Sequence, residues 1–292
     1  MVDSAHQSHV EQLARLGRLH LQVRRLIEAE ELGSHAARGR RGGGDFFEHR
    51  AFRSGDEVGR IDWRASARGD QLLMRERRAE RQLRVVVMLD SSGSMSTGEP
   101  VTKWRYGCWL GLGTAYAARR AGDRAELLVR AGEPEGNWSL RSIGDMEHIG
   151  ASLEAIEPSG TTDFLAAFEG VAGRQSRGLL VVVSDLLEAD EAFWSALTEQ
   201  RLRGWHVAVL RVLARDELTF DHRGPIRFEG AEGGEPLTVD AGAVRVAYIE
   251  ELHRFDAECE AAAARAGARL ILCDTGEHPI RPLRALLEEP LP

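Results

Sequence analysis

The feature that most constrains this chain is a strand-length run with no polar face. Residues 85–89 read Val-Val-Val-Met-Leu and stop abruptly at Asp90. A strand with one wet face alternates apolar and polar side chains, whereas a strand apolar on both faces must be covered on both. Leu83–Leu89 is therefore predicted to be a central strand of a parallel sheet with helices above and below. Leu179–Val183 repeats the pattern, with Ser184 and Asp185 following it.

Between and after these runs, strand and helix patterns alternate. Helices are expected over Thr102–Ala121, Ile143–Ile156, Phe164–Val171, Ala189–Arg203 and Ala247–Ala266, with a closing helix near Pro282–Leu287. Further strands are expected at Ala125–Val129, Val207–Leu213 and Arg269–Cys273. Such alternation predicts an α/β fold built on a doubly wound, mostly parallel, Rossmann-like sheet. The stretch Asp216–Arg245 interrupts it: Pro225–Phe228 and Pro236–Val239 flank Gly230–Gly234, the pattern of a hairpin-like insertion. Upstream, apolar residues recur at three- and four-residue steps through Ser4–Glu31, predicting an amphipathic helix. The Gly- and Arg-rich stretch Gly33–Gly44 breaks that helix, and turns with short strands are expected over Phe46–Asp70. The expected organisation is an N-terminal segment, 1–82, and a sheet domain, 83–290, that carries the insertion at 216–245.

Composition narrows the function classes. The sequence has 292 residues, 43% of them hydrophobic, enough for one large domain with a smaller attachment. It has no run of about 18 apolar residues such as a membrane helix needs, and Met1–Val10 lacks the apolar stretch of a signal peptide, so a cytoplasmic protein without membrane insertion is expected. Cys108, Cys259 and Cys273 are widely spaced within apolar or helical patterns, which suits buried thiols rather than disulfides or zinc. Residues 1–84 carry 17 Arg against 13 acidic residues, leaving 21 basic against 33 acidic in the remainder. The arginine excess is modest and interleaved with acids, so no nucleic-acid partner is expected.

The chemistry concentrates where the strands end. Asp90-Ser91-Ser92-Gly93-Ser94 places one carboxylate and two hydroxyls just beyond a strand's carboxyl end. Ligands of an open parallel sheet gather there. Pro158-Ser159-Gly160-Thr161-Thr162-Asp163 supplies a second hydroxyl-rich turn, and Asp185 a second carboxylate at a strand end. If the three loops meet, Asp90, Ser92, Ser94, Thr161 and Asp185 surround one cavity with hard oxygens, suited to Mg²⁺ or Mn²⁺ at about 2.0 to 2.2 Å. Two blander readings stand beside this. Asp90 could cap the following helix, and Asp163 is expected to cap the helix at Phe164. A hydrolase elbow would need Gly-x-Ser-x-Gly, which Ser91–Ser96 does not offer. Gly111-Leu112-Gly113 lies inside a helical pattern and reads as packing, not as a phosphate loop.

Asp-x-Ser-x-Ser after the first sheet strand, a Gly-Thr loop, and Asp after a later apolar strand resemble the metal-ion-dependent adhesion site of von Willebrand factor type A domains. The resemblance implies Asp90, Ser92 and Ser94 in the first loop, Thr161 in the second with Thr162 as a substitute, and Asp185 in the third. It implies a non-enzymatic protein whose bound ion is completed by an Asp or Glu of a partner. The third loop departs from the pattern, with Leu186 where such domains often have glycine. Upstream, Ser54-Gly55-Asp56-Glu57, Arg60-Ile61-Asp62-Trp63 and Ala67-Arg68 resemble the signature of family number 58 among domains of unknown function. Those proteins are commonly encoded beside MoxR-type AAA+ ATPases, so the resemblance implies an adaptor that works with such an ATPase in the assembly or maturation of a partner complex. The alternatives are a Mg²⁺-dependent phosphohydrolase and an interaction module with a vestigial metal site. Asp56, Arg60, Asp62 and Arg68 are expected to form a charged clasp anchored by a buried Trp63 ring, with direct partner binding as the second reading.

Overall fold

In a computed structural model of the chain, the described residues are 47–52, 61, 63–67, 69, 72–77, 83–130, 136–172, 178–228 and 237–288. The chain divides into two compact units with a boundary between Gln82 and Leu83. In the smaller unit, β1 (Phe47–Ala51) pairs antiparallel with β2 (Leu73–Arg77), and the short helix α1 (Trp63–Ser66) lies between them in sequence. The Ser66 hydroxyl accepts a hydrogen bond from the Leu73 amide at 2.9 Å, which ties α1 to β2. The expected helix over Ser4–Glu31, the Gly- and Arg-rich stretch, and Asp56, Arg60, Asp62 and Arg68 lie outside the described residues.

The larger unit is the α/β architecture expected from the sequence. Its elements in chain order are β3 (Arg84–Asp90), α2 (Lys103–Arg120), β4 (Arg124–Arg130), β5 (Gly136–Leu140), α3 (Asp145–Glu154), α4 (Phe164–Ala172), β6 (Gly178–Ser184), α5 (Glu191–Leu202), β7 (His206–Leu213), α6 (Arg215–Thr219), β8 (Pro225–Phe228), β9 (Leu237–Asp240), α7 (Ala241–Ala266), β10 (Arg269–Asp274) and α8 (Ile280–Glu288). A six-stranded sheet runs β10-β7-β6-β3-β4-β5, parallel throughout except for β5, which is antiparallel to β4. From β3 the chain winds outward through β4 and β5, then returns to the other flank of β3 as β6 and continues to β7 and β10. The winding direction therefore reverses between β3 and β6.

The unbroken apolar strands explain the layering. Alternate residues of each strand feed opposite cores. Val85, Val87, Leu89, Val181 and Val183 pack on one side with α2, α3 and α8, and Val86, Met88, Leu180 and Val182 pack on the other with α4, α5 and α7. On the second side Phe193 meets Phe164 with ring centroids 4.8 Å apart and Trp194 at 4.9 Å. Helix α2 lies close on the sheet because it carries glycines: a Cβ on Gly111 would meet Leu89 Cδ2 at 2.5 Å. This makes Gly111 a packing residue, as its helical context suggested. All three cysteines are free and buried.

Two differences from the sequence reading have local causes. Strand β5 was not expected: only its ends, Gly136 and Leu140, are buried while Asn137 and Ser139 face solvent, so no continuous apolar run announces it. Helix α7 starts at Ala241, six residues before the expected Ala247, because the Asp240 carboxylate caps it by accepting from the Ala243 amide at 3.1 Å. The hairpin β8-β9 occupies the interrupting stretch.

Candidate metal site

Parallel strands β3 and β6 end side by side, with Leu89 in register with Val183, so Asp90 and Ser184 emerge together where the winding reverses. The Ser184 hydroxyl donates to Asp90 Oδ2 at 2.6 Å, and the Ser92 amide donates to Asp90 Oδ1 at 2.9 Å. The Pro158–Asp163 loop is stitched onto the first loop through its backbone: Gly93 N donates to Gly160 O at 2.9 Å and Ser159 N to Ser91 O at 2.9 Å. These two bonds bring the second hydroxyl turn to the end of β3.

The turn presents Thr162, not Thr161. The Thr162 hydroxyl lies 2.5 Å from Asp90 Oδ1 and 3.0 Å from the Arg130 carbonyl, and its amide donates to Glu188 Oε2 at 2.6 Å. Thr161 is exposed. The expectation that Thr161 faces the cavity is therefore corrected in favour of its neighbour. The cause is tertiary, since Glu188, from the loop after β6, captures the Thr162 amide and fixes which of the two hydroxyls turns inward. Asp163 caps α4 as expected, accepting from the Ala166 amide at 3.0 Å.

Ser92 and Ser94 are buried, with their hydroxyl oxygens 3.1 Å apart. Two ligands on neighbouring vertices of an octahedron with Mg–O bonds of about 2.1 Å are separated by about 3 Å, so this pair fits adjacent ligand positions. Asp90, Ser92, Ser94 and Thr162 are all hard oxygen donors, and their chemistry suits a divalent cation of the Mg²⁺ type. Among the described residues no group of three or more His, Cys, Asp or Glu side chains could hold a metal, so hydroxyls must do much of any ligation here. Burial pushes the Asp90 carboxyl above its ordinary range, against the hydrogen bonds from Ser184, Thr162 and Ser92 that favour the carboxylate.

Asp185 is differently placed. It is buried, with Oδ1 accepting from the Leu187 amide at 3.2 Å and Oδ2 held by the ammonium of Lys103 at 2.8 Å. Lys103 is itself buried and makes a second ion pair with Glu217 Oε1 at 2.7 Å. Burial lowers the ammonium's proton affinity, but Asp185 and Glu217 together outweigh it, and the net displacement is upward. The buried Arg211 approaches from β7, donating through Nε to the Asp185 carbonyl at 3.3 Å and pairing with Asp256. The sequence reading missed Lys103, Glu217 and Arg211. A lysine at the first position of a helix was the available signal, because a cation there opposes the helix dipole and needs a partner to justify it.

The backbone at Leu186 accounts for the unusual third loop. Leu186 has φ +65°, the left-handed conformation that glycine adopts freely, yet its side chain is fully buried. In the smaller unit Trp63 is 60% exposed, which corrects the expectation of a buried anchor. A two-stranded ribbon with one helical turn offers little interior for a ring of about 150 to 250 Å².

Among the described residues no helix is long and apolar enough to cross a membrane. Solved structures similar to this chain include an aerotolerance-related membrane protein from Bacteroides fragilis, 19% identical, with 71% of this chain and 98% of that one covered at a TM-score of 0.45. A conserved hypothetical protein, BatB, from Bacteroides thetaiotaomicron is 16% identical over 70% and 95% of the two chains at a TM-score of 0.41. The SpRpn10 VWA domain is 10% identical over 72% and 96% at 0.40. No curated protein matches the sequence. Residues 48–258 match the family described as protein of unknown function DUF58.

Proposed function

We propose, for this chain, which belongs to the DUF58 family, a role as a non-enzymatic adaptor that binds a protein partner through a divalent cation held at the ends of β3 and β6. The observation that carries this reading is the buried Asp90 carboxylate at the reversal point of the sheet, which takes the Thr162 hydroxyl and the Ser92 amide, in a loop whose Ser92 and Ser94 hydroxyls lie 3.1 Å apart. Asp90, Ser92, Ser94 and Thr162 would hold the ion, with Asp185 as the second carboxylate of the set. A bound Mg²⁺ or Mn²⁺ would supply an electrophilic position that a partner's Asp or Glu completes.

The chain's own residues provide the rest. Hydrogen bonds from Ser184 and the Ser92 amide hold Asp90 in one orientation, so little entropy is lost on assembling the ligand set. The backbone stitches from Gly93 and Ser159 keep the two hydroxyl loops together. Leu187, 59% exposed and two residues beyond Asp185, offers an apolar contact next to the site. The partner we propose is a MoxR-type AAA+ ATPase or its client, the ATPase supplying energy while this chain holds an acidic side chain of the assembling complex.

Binding of a purified MoxR-type ATPase is expected in Mg²⁺ and lost in EDTA. Ser94→Ala and Thr162→Val should each weaken it ten-fold or more while retaining the wild-type melting temperature within a few degrees. Binding that is indifferent to EDTA and to both substitutions overturns the metal-dependent reading.

A further inference from the structure

The buried lysine at the site has no part in the ligand set just described. Its side chain and that of Asp185 are each only 1% exposed. Placing an ammonium at the first turn of α2 opposes the helix dipole, and the helix already has its cap in Thr102, which accepts from the Arg105 amide at 3.2 Å. The ammonium is thus held by its carboxylates rather than by the helix. Of these, Glu217 is itself anchored: its Oε2 accepts from the Ala214 amide at 2.9 Å while Oε1 receives Lys103. Glu217 is 27% exposed at the side chain, against 1% for Asp185. The ammonium therefore bridges one deeply buried acceptor and one at the rim.

We propose that Lys103 is a resident counter-cation that competes with the divalent ion for Asp185, so that loading the site requires the ammonium to pass to Glu217 alone. This rests on the metal-binding reading above. A dication beside Asp90 and an ammonium on Asp185 repel each other, and Asp185 Oδ2 cannot give its full charge to both. With Lys103 in place the buried carboxylate is neutralised without metal, which keeps the fold intact and the affinity for free ion low. Glu217 sets the balance, because it is the position to which the displaced ammonium retreats. Its element, α6, directly precedes the β8-β9 stretch, so whatever engages that region acts on the same balance.

The test uses the full-length chain and Mn²⁺ alone, read by the free-ion signal in electron paramagnetic resonance and by thermal melting. Lys103→Met is expected to bind Mn²⁺ at least ten-fold more tightly than wild type. It should melt lower without the ion, because Asp185 is then buried unpaired, and should gain more from added Mn²⁺. Lys103→Gln, which keeps donors at this position, is expected to show the same direction and serves if the methionine variant does not fold. Glu217→Gln should weaken Mn²⁺ binding several-fold, an effect that largely disappears when combined with Lys103→Gln. Equal affinities in wild type and both lysine variants overturn the competition while leaving the metal site standing. Absence of Mn²⁺ binding in wild type and lysine variants alike overturns both.

Discussion

At the scale of single residues, Leu186 shows two effects in opposition. Its left-handed backbone costs on the order of 1 to 3 kcal/mol for a residue with a side chain, yet that side chain is fully buried against the core of Val182 and Phe193. Leu186→Gly would relieve the strain but forfeit burial, and truncating a core leucine even to alanine costs about 2 to 5 kcal/mol. Burial outweighs strain, so the variant is expected to be less stable by about 2 kcal/mol in urea unfolding at neutral pH. A stability equal to or above wild type would show that strain dominates. Lys103 and Asp185 pose the corresponding electrostatic question: removing one partner of a buried pair usually costs about 3 to 5 kcal/mol because the other charge is stranded. A replacement cation bound at Asp185 recovers part of that loss. Thr161 and Thr162 make the finer point that identical adjacent side chains are distinguished by one hydrogen bond, from the Thr162 amide to the Glu188 carboxylate.

At the scale of elements, helix α2 and strand β3 are fitted through glycine. Gly111→Ala gains about 0.5 to 1 kcal/mol of helix propensity. It also drives a methyl group to within 2.5 Å of Leu89 Cδ2, in a core where Leu89 is 1% exposed and has little room to move. Overpacking of this kind typically costs about 1 to 3 kcal/mol, so the net expected outcome is a loss of about 1 kcal/mol, seen as a lower urea midpoint with unchanged slope. A rise in midpoint would mean that Leu89 repacks freely. The same crossing fixes the site indirectly, since β3 carries Asp90 at its end and α2 carries Lys103 at its start. Strands with apolar residues on both faces were legible from their unbroken apolar runs. The one-sided edge strand β5 was not, because five residues with alternating burial carry too little signal against the surrounding polar loop.

At the scale of the whole molecule, the β8-β9 hairpin is an excursion between α6 and α7. Of its described side chains, Pro225, Arg227, Thr238 and Asp240 are exposed. The hairpin leaves and rejoins the fold at adjacent points, where Ala241 N donates to Gly224 O at 2.9 Å. Replacing residues 226–238 by a two-glycine linker, with the capping Asp240 retained, is expected to change the melting temperature by no more than about 3 °C, which corresponds to about 1 kcal/mol for a domain of this size. A collapse of the cooperative transition would show that the hairpin is integral to the fold. If α6 transmits engagement of this region to Glu217, the same deletion alters Mn²⁺ affinity without altering stability.

Sequence alone determined the layered α/β architecture, because hydrophobic periodicity records how many faces of each element are covered and that requirement is local. It also located the candidate first loop, Asp90, Ser92 and Ser94, whose members lie within five residues of one another at a strand end. The tertiary structure decided everything that depends on which loops meet. It selected Thr162 over Thr161, left the Trp63 ring exposed, and brought Lys103 to Asp185 and Glu217 across separations of 82 and 114 residues. The physical reason is that burial patterns repeat along the chain and can be read there, whereas the charge balance of a site is set by the strand order and loop paths that bring distant residues within a few ångströms.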